Sequence, residues 1–131
     1  MNCNFYFTGT LRENLGRKIH IDEGEVREFV ELLKIGDDIE EYDVDGLDSK
    51  IYYENTKVNY ELTKKLCLLR ILLARCKIVI IKDTASFVGM LSIPEILRKY
   101  IPNCTIIKIN NKIESAYGFD RVVFMENSVV I

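Results

Sequence analysis

The chain has 131 residues, of which 48% are apolar and 29% charged, with a formal net charge of −2. That balance belongs to one compact globular domain able to bury its own core. The charge is not that of a dedicated nucleic-acid binder, and no apolar run approaches the roughly 20 residues of a membrane-spanning helix, so direct membrane insertion is not expected.

Met1-Asn2-Cys3-Asn4 has no basic stretch leading into an apolar one, so no secretory leader is expected there. Cys3, Cys67, Cys76 and Cys104 lack the close paired spacing of zinc ligands, and His20 stands alone as a surface histidine. The expectation is a cytoplasmic protein with reduced, mostly buried thiols, without metal or cofactor. Charge is unevenly spread. Residues 22–48 are strongly acidic, with Arg27 and Lys34 the only cations, whereas basic residues dominate 57–82. Two solvated faces that attract each other within one domain account for this pattern.

In chain order, residues 9–16 suit a short helix, with Thr10 as cap and Glu13 three residues on. Val26, Phe29, Val30 and Leu33 form the stripe of a second helix, capped by Asp22 and ended by Gly36. Residues 43–57 are polar and turn-rich, a loop headed by Asp45-Gly46. A long helix is expected over 58–75, capped by Asn59, with Leu62, Leu66, Leu69 and Leu73 on one stripe widened by Leu68 and Leu72. Lys64 and Lys65 fall on its solvated face.

The pattern then changes. Ile78-Val79-Ile80-Ile81 is a β-branched run expected to be a buried strand. A helix over 93–100 follows, with Pro94 in its first turn and Pro102 beyond its end. Residues 105–109 and 122–125 are further strands, with a short helix between them, and 128–131 return after Glu126-Asn127 as a hairpin. Strand, helix, strand, helix, strand is the alternation of a parallel α/β layer. The expected fold is α/β: one domain over 1–131, helical over 1–76, with a small, mostly parallel sheet and flanking helices over 77–131.

Five segments then invite comparison. Phe7-Thr8-Gly9-Thr10-Leu11-Arg12-Glu13-Asn14, Asp45-Gly46-Leu47-Asp48-Ser49, residues 72–81, Cys104-Thr105-Ile106-Ile107-Lys108-Ile109 and residues 119–127 occur in order. They resemble segments of the nucleotide-binding domain of ABC exporters: F-S-G-T-I-R-E-N after the Q-loop, D-G-L-D-T ahead of the signature, the approach to Walker B, C-T-V-I-x-I before the switch histidine, and A-D-R-I-I-V-L-D-N. The resemblance covers nearly the whole chain from the Q-loop onward. It implies that 1–76 is the helical subdomain and 77–131 the second half of a RecA-like core, as in P-loop ATPases.

The same resemblance fails where the chemistry sits. No glycine-rich Walker A loop is present to hold phosphates on backbone N–H groups. Asn2 stands in place of the Q-loop glutamine. The signature L-S-G-G-Q falls on Val58-Asn59-Tyr60-Glu61-Leu62, so Tyr60 and Glu61 replace both glycines. The Walker B aspartate falls on Lys82, which reverses the charge a metal requires. The catalytic glutamate falls on Asp83, read as an ion-pair or loop residue beside Lys82. The switch histidine falls on Asn111 and the D-loop aspartate on Gly89. About four residues, roughly one helical turn, are missing between Gly89 and Cys104.

The expectation is a catalytically inactive, degenerate ATPase, a pseudoenzyme without catalytic residues, acting as a binding or regulatory module. The resemblance places Phe5, Tyr6, Phe7 and Arg12 where the family's catalytic domain meets the membrane subunit, so these four are the candidate partner contacts. The partner is a protein, either ABC transporter subunits at the cytosolic face of the membrane or a second copy of the chain. A subunit completing a split transporter ATPase and a folded relic are the alternatives. In the family the strand equivalent to 105–109 lies beside the phosphate-loop strand. Without that neighbour its edge is open, and either residues 122–125 cross over to pair with it or a dimer covers it.

Overall fold

The computed structural model describes residues 7–16, 20–42, 45–51, 60–82, 87–88, 91–112 and 117–131. It is mixed α/β, with five helices and four two-stranded ladders among those residues. Phe5, Tyr6, Asn59, Asp83 and Gly89 lie outside the described residues.

Strand β1 (Gly9–Thr10) pairs antiparallel with β2 (Lys50–Ile51) and leads into α1 (Leu11–Leu15). The expected capping box forms: the Glu13 N–H donates to Thr10 Oγ1 at 3.0 Å, and the Thr10 N–H donates to Glu13 Oε2 at 2.8 Å. Asp22 caps α2 (Glu23–Leu32) by accepting from the N–H groups of Gly24 and Glu25.

Gly36 does not end α2, contrary to the sequence pattern. The helix stops at Leu33, Lys34 takes a left-handed φ of 49°, and Gly36 lies inside a further helix, α3 (Ile35–Tyr42). The reason is tertiary. Leu33, Ile35 and Ile39 are all buried, and one straight helix cannot turn residues 33 and 35 into the same core. A left-handed lysine costs about 1–2 kcal/mol, offset here by Lys65, whose ammonium donates to the Lys34 carbonyl at 3.0 Å and pairs with Asp38. Lys64 and Lys65 are therefore not a solvated face. Their side chains are 15% and 14% exposed, and Lys64 pairs with Glu61.

Helix α4 (Tyr60–Ala74) buries Leu62, Leu66, Cys67, Leu68, Leu69, Leu72 and Leu73. Apolar over most of its circumference, it is the element that the others enclose. The acidic and basic stretches meet through it: Lys65 with Asp38 on α3, and Arg75 with Glu25 on α2. The 3₁₀ turn Gly46–Asp48 and β2 occupy part of the expected loop, with Ile51 fully buried.

Beyond α4 come β3 (Ile78–Lys82), β4 (Phe87–Val88), β5 (Leu91–Ser92), α5 (Ile93–Tyr100) and β6 (Thr105–Ile109). Strands β4 and β5 form a small antiparallel ladder. Strands β3 and β6 are parallel, with Ile80 opposite Ile107 and Lys82 opposite Ile109. Strand β3 is buried on one face only. Val79 and Ile81 join the helical core, whereas Ile78 and Ile80 face outward. Residues on both sides of position 76 share that core, and the edge-on rings of Phe29 and Tyr100, 5.4 Å apart, tie α2 to α5.

The expected third parallel strand does not form. Residues 121–124 join no ladder, and described residues 110–112 and 117–121 contain no helix. Instead β7 (Met125–Glu126) folds back on β8 (Val129–Val130). Asn127 and Ser128 both take positive φ, 49° and 65°, the backbone of a tight hairpin turn whose twist matches its strands. The local turn thus captures Met125 as a hairpin strand, while 122–124 stay exposed.

Leu69→Ala is expected to lower unfolding free energy by about 2–5 kcal/mol, because the fully buried side chain leaves a cavity. Lys65→Ala should cost about 1.5–3 kcal/mol through two lost charge-assisted hydrogen bonds. Glu28→Ala, on the exposed face of α2, should stay within about 0.5 kcal/mol. Urea titration followed by circular dichroism measures all three.

Candidate functional site

Two regions carry the residues singled out in the sequence. The first lies where residue 7 meets α1 and α4. Arg70 emerges from the middle of α4 and is 7% exposed, among leucines. A buried guanidinium is costly unless its donors are satisfied. Its Nε donates to the Asn14 carbonyl at 2.7 Å, and its Nη2 lies 3.4 Å from Asn14 Oδ1.

Asn14 is itself buried and extends the network. Its Nδ2 donates to the carbonyls of Phe7 and Thr10, both at 2.9 Å, and its Oδ1 accepts from the Phe7 N–H at 2.6 Å. Both backbone groups of Phe7 are thereby fixed to the buried interior, while its ring is 54% exposed. A pinned backbone presenting an aromatic ring loses little entropy when that ring is covered, which suits a protein contact.

Arg12 sits on the same short helix but is engaged within the chain. Its Nε donates to Asp48 at 3.0 Å and its Nη1 to Glu23 at 2.6 Å. The hydrogen bonds to Asp48 and then Glu23 raise the guanidinium pKa above its usual value. Arg12 thus joins α1, the 3₁₀ turn and the start of α2. The sequence pattern named Phe7 and Arg12 but missed Asn14 and Arg70. The signal for Arg70 is a charge inside an otherwise apolar helix stripe; nothing in the sequence marks Asn14 as its partner.

The second region is the set of element ends aligned by resemblance with catalytic motifs. Lys82 closes β3 and is exposed, and Asn111 lies exposed just beyond β6. In a parallel sheet such carboxyl ends of strands border ligand crevices. Glu61 occupies the first turn of α4, where the helix dipole favours an anion, and its carboxylate pairs with Lys64 at 2.7 Å. The Lys64 ammonium also lies 4.9 Å from the Tyr60 ring centre. The Glu61 carboxylate places a negative charge at that helix end, which repels a phosphate. The described donors at the strand ends do not fit a magnesium ion either, since Lys82 brings positive charge and Asn111 a neutral amide. Among the described residues no three His, Cys, Asp or Glu side chains are grouped to hold a metal, and no helix is long and apolar enough to cross a membrane. His20 is exposed, in keeping with a surface histidine.

Comparison with known proteins agrees with the resemblance at a coarser level. No protein-family model matches the chain. It is 26% identical over 127 residues to "ABC transporter C family member 3" of Arabidopsis thaliana, covering 95% of this chain and 8% of that protein. It is 27% identical over 130 residues to the lactococcin-A transport/processing ATP-binding protein LcnC of Lactococcus lactis subsp. lactis, covering 97% of this chain and 18% of that one. It is 31% identical over 128 residues to "ABC transporter C family member 3" of Dictyostelium discoideum, covering 92% and 9%. The chain is related along nearly its whole length to one region of ABC transporter proteins, and it spans less than a fifth of the relatives it matches.

Asn14→Ala should free the Phe7 backbone, so chymotrypsin should cut after Phe7 faster than in the unsubstituted protein, with helix content unchanged. Equal cleavage rates would show that Asn14 does not hold this segment. The Cys104 thiol is pushed up by burial and then by neighbouring Cys76. Iodoacetamide should therefore alkylate Cys104 more slowly at pH 8 than in the urea-unfolded chain, as read by mass spectrometry.

Proposed function

We propose that this chain is a non-hydrolysing relative of the ABC transporter ATPase, corresponding to its nucleotide-binding domain from the Q-loop onward and acting as a protein-binding module. The observation that carries this reading is Lys82. It places a cation at the carboxyl end of β3, the position the resemblance aligns with the metal-binding aspartate. Phosphoryl transfer is catalysed mainly by positioning and charge neutralisation around a bound metal, and a lysine there opposes the metal. Glu61 at the start of α4 supports the same reading, since its charge repels the phosphate that the signature glycines would approach.

What the chain retains is a rigid scaffold with an aromatic anchor. Phe7, held through its hydrogen bonds to Asn14, is the docking element, with Phe5 and Tyr6 beside it in the sequence. Arg12 contributes by bracing α1 against Asp48 and Glu23. The partner is a component of an ABC transporter at the cytosolic face of the membrane, because the relatives are transporter proteins.

Purified protein is expected neither to bind Mg·ATP measurably by calorimetry nor to release phosphate. Lys82→Asp should not restore turnover, because Tyr60, Glu61 and Asn111 remain. A micromolar dissociation constant for Mg·ATP, or phosphate release above buffer, would overturn the proposal. Phe7→Ala should weaken co-purification with transporter subunits by about tenfold or more, with the urea midpoint unchanged.

A further inference from the structure

Cys76 and Cys104 stand at equivalent points of the fold, each in the short passage from a helix to a strand. Cys76 follows α4 and precedes β3, and its N–H donates to the Ile71 carbonyl at 3.4 Å. Cys104 follows α5 and precedes β6, and its N–H donates to the Ile101 carbonyl at 2.9 Å. Both thiols are free, both residues are half-buried, and both pack against the same hydrophobic core.

The sheet brings these two passages together. Ile78 lies opposite Thr105 in the parallel ladder, and the Thr105 N–H donates to the Lys77 carbonyl at 2.8 Å, one residue before β3 begins. Continued by one residue, that register sets Lys77 opposite Cys104, with Cys76 next along the chain. A strand spacing of about 4.8 Å and a Cα step of about 3.8 Å, taken on the diagonal, put the two cysteine Cα atoms roughly 6 Å apart. Disulfides close across Cα separations of about 4.4–6.8 Å.

The side chains also share a face. Cys104 alternates with the exposed Thr105 to the side of Ile106, which meets the helices, and Cys76 packs on that same core. The two thiols sense each other: after burial, the charge of Cys76 is the next cause that raises the Cys104 pKa. A disulfide removes both ionisable groups and with them that repulsion. Hydrogen bonds already hold the backbone at both positions, so closure calls for side-chain rotation rather than movement of the strands.

We propose that Cys76 and Cys104 are a redox-active dithiol that closes reversibly to a disulfide by exchange with a small disulfide of the glutathione class. One thiolate attacks a sulfur of glutathione disulfide, forming a mixed disulfide and releasing one glutathione. The second thiolate attacks the protein sulfur of that mixed disulfide and releases the other. The two protons and two electrons lost by the pair end on the two glutathione molecules released. The new bond ties the exit of α4 to the exit of α5 where the sheet begins, and the loop it closes constrains the unfolded chain. This device depends neither on phosphate chemistry nor on the Phe7 contact proposed above.

The whole chain, equilibrated in glutathione buffers of increasing oxidising poise, alkylated and cut with trypsin, should yield one linked pair of peptides. Cleavage after Arg75, Lys77, Lys99 and Lys108 makes that pair residues 76–77 joined to residues 100–108. Dithiothreitol should release it. The urea midpoint should rise on oxidation and return on reduction. Cys76→Ser and Cys104→Ser should each abolish the linked pair and the midpoint shift, and Cys3→Ser should leave both. The peptide map and the midpoint of the unsubstituted protein stand apart from any variant's folding. Free Cys76 and Cys104 at every poise overturn the proposal, as does a mixed disulfide with glutathione that never resolves. So does a disulfide made through Cys3 or between chains, or a closure that lowers the urea midpoint.

Discussion

Helix α4 buries most of its circumference beyond the first turn, and the rest of the helical region is arranged around that constraint. Its leucines occupy most of its circumference, so α1, α2, α3 and α5 must enclose it rather than pack along one stripe. Within that apolar surround sits one guanidinium, Arg70. Its bonds to Asn14 make the burial tolerable and join α1 to α4. Because Asn14 also grips Phe7, the polar contact that satisfies the core sets the position of an exposed aromatic ring.

Electrostatics then closes the lobe. The acidic α2 and α3 face the basic α4 through Glu25–Arg75 and Asp38–Lys65, and Arg12 gathers Glu23 and Asp48. The two kinds of pair are not equivalent. Lys65 and Asp38 are largely covered, so their attraction is weakly screened, whereas Arg12, Glu23 and Asp48 are more exposed and worth less each. The covered pair is also the one that supports the left-handed turn at Lys34. Glu61 and Lys64 are paired with each other, and Arg12 with the 3₁₀ turn and the start of α2.

The sheet region is different in kind. Two parallel strands cannot cover themselves, and the helices occupy only one of their faces. The hairpin at the end of the chain adds a local fold without covering the other face. Stability is therefore concentrated in the helical core, while Ile78, Ile80 and the side chains of 122–131 stay exposed.

Local features were legible in the sequence because local forces decide them. Thr10 with Glu13, Asp22 before α2, Pro94 in α5 and the two β-branched strands stand where the residue types place them. The kinship of the whole chain with ABC transporter proteins was legible too, as an ordered series of short segments. The tertiary structure decided what depends on distant partners. Burial of Leu33 beside Ile35, with Lys65 bracing the turn, broke one helix into two despite Gly36. The hairpin after Glu126-Asn127 formed as the sequence suggested, but residues 122–124 found no strand to pair with, so the third parallel strand is absent. The pairing of Arg70 with Asn14, 56 positions away, rests on no local pattern. It exists because a buried cation must find oxygen, and only the folded chain determines which oxygen is near.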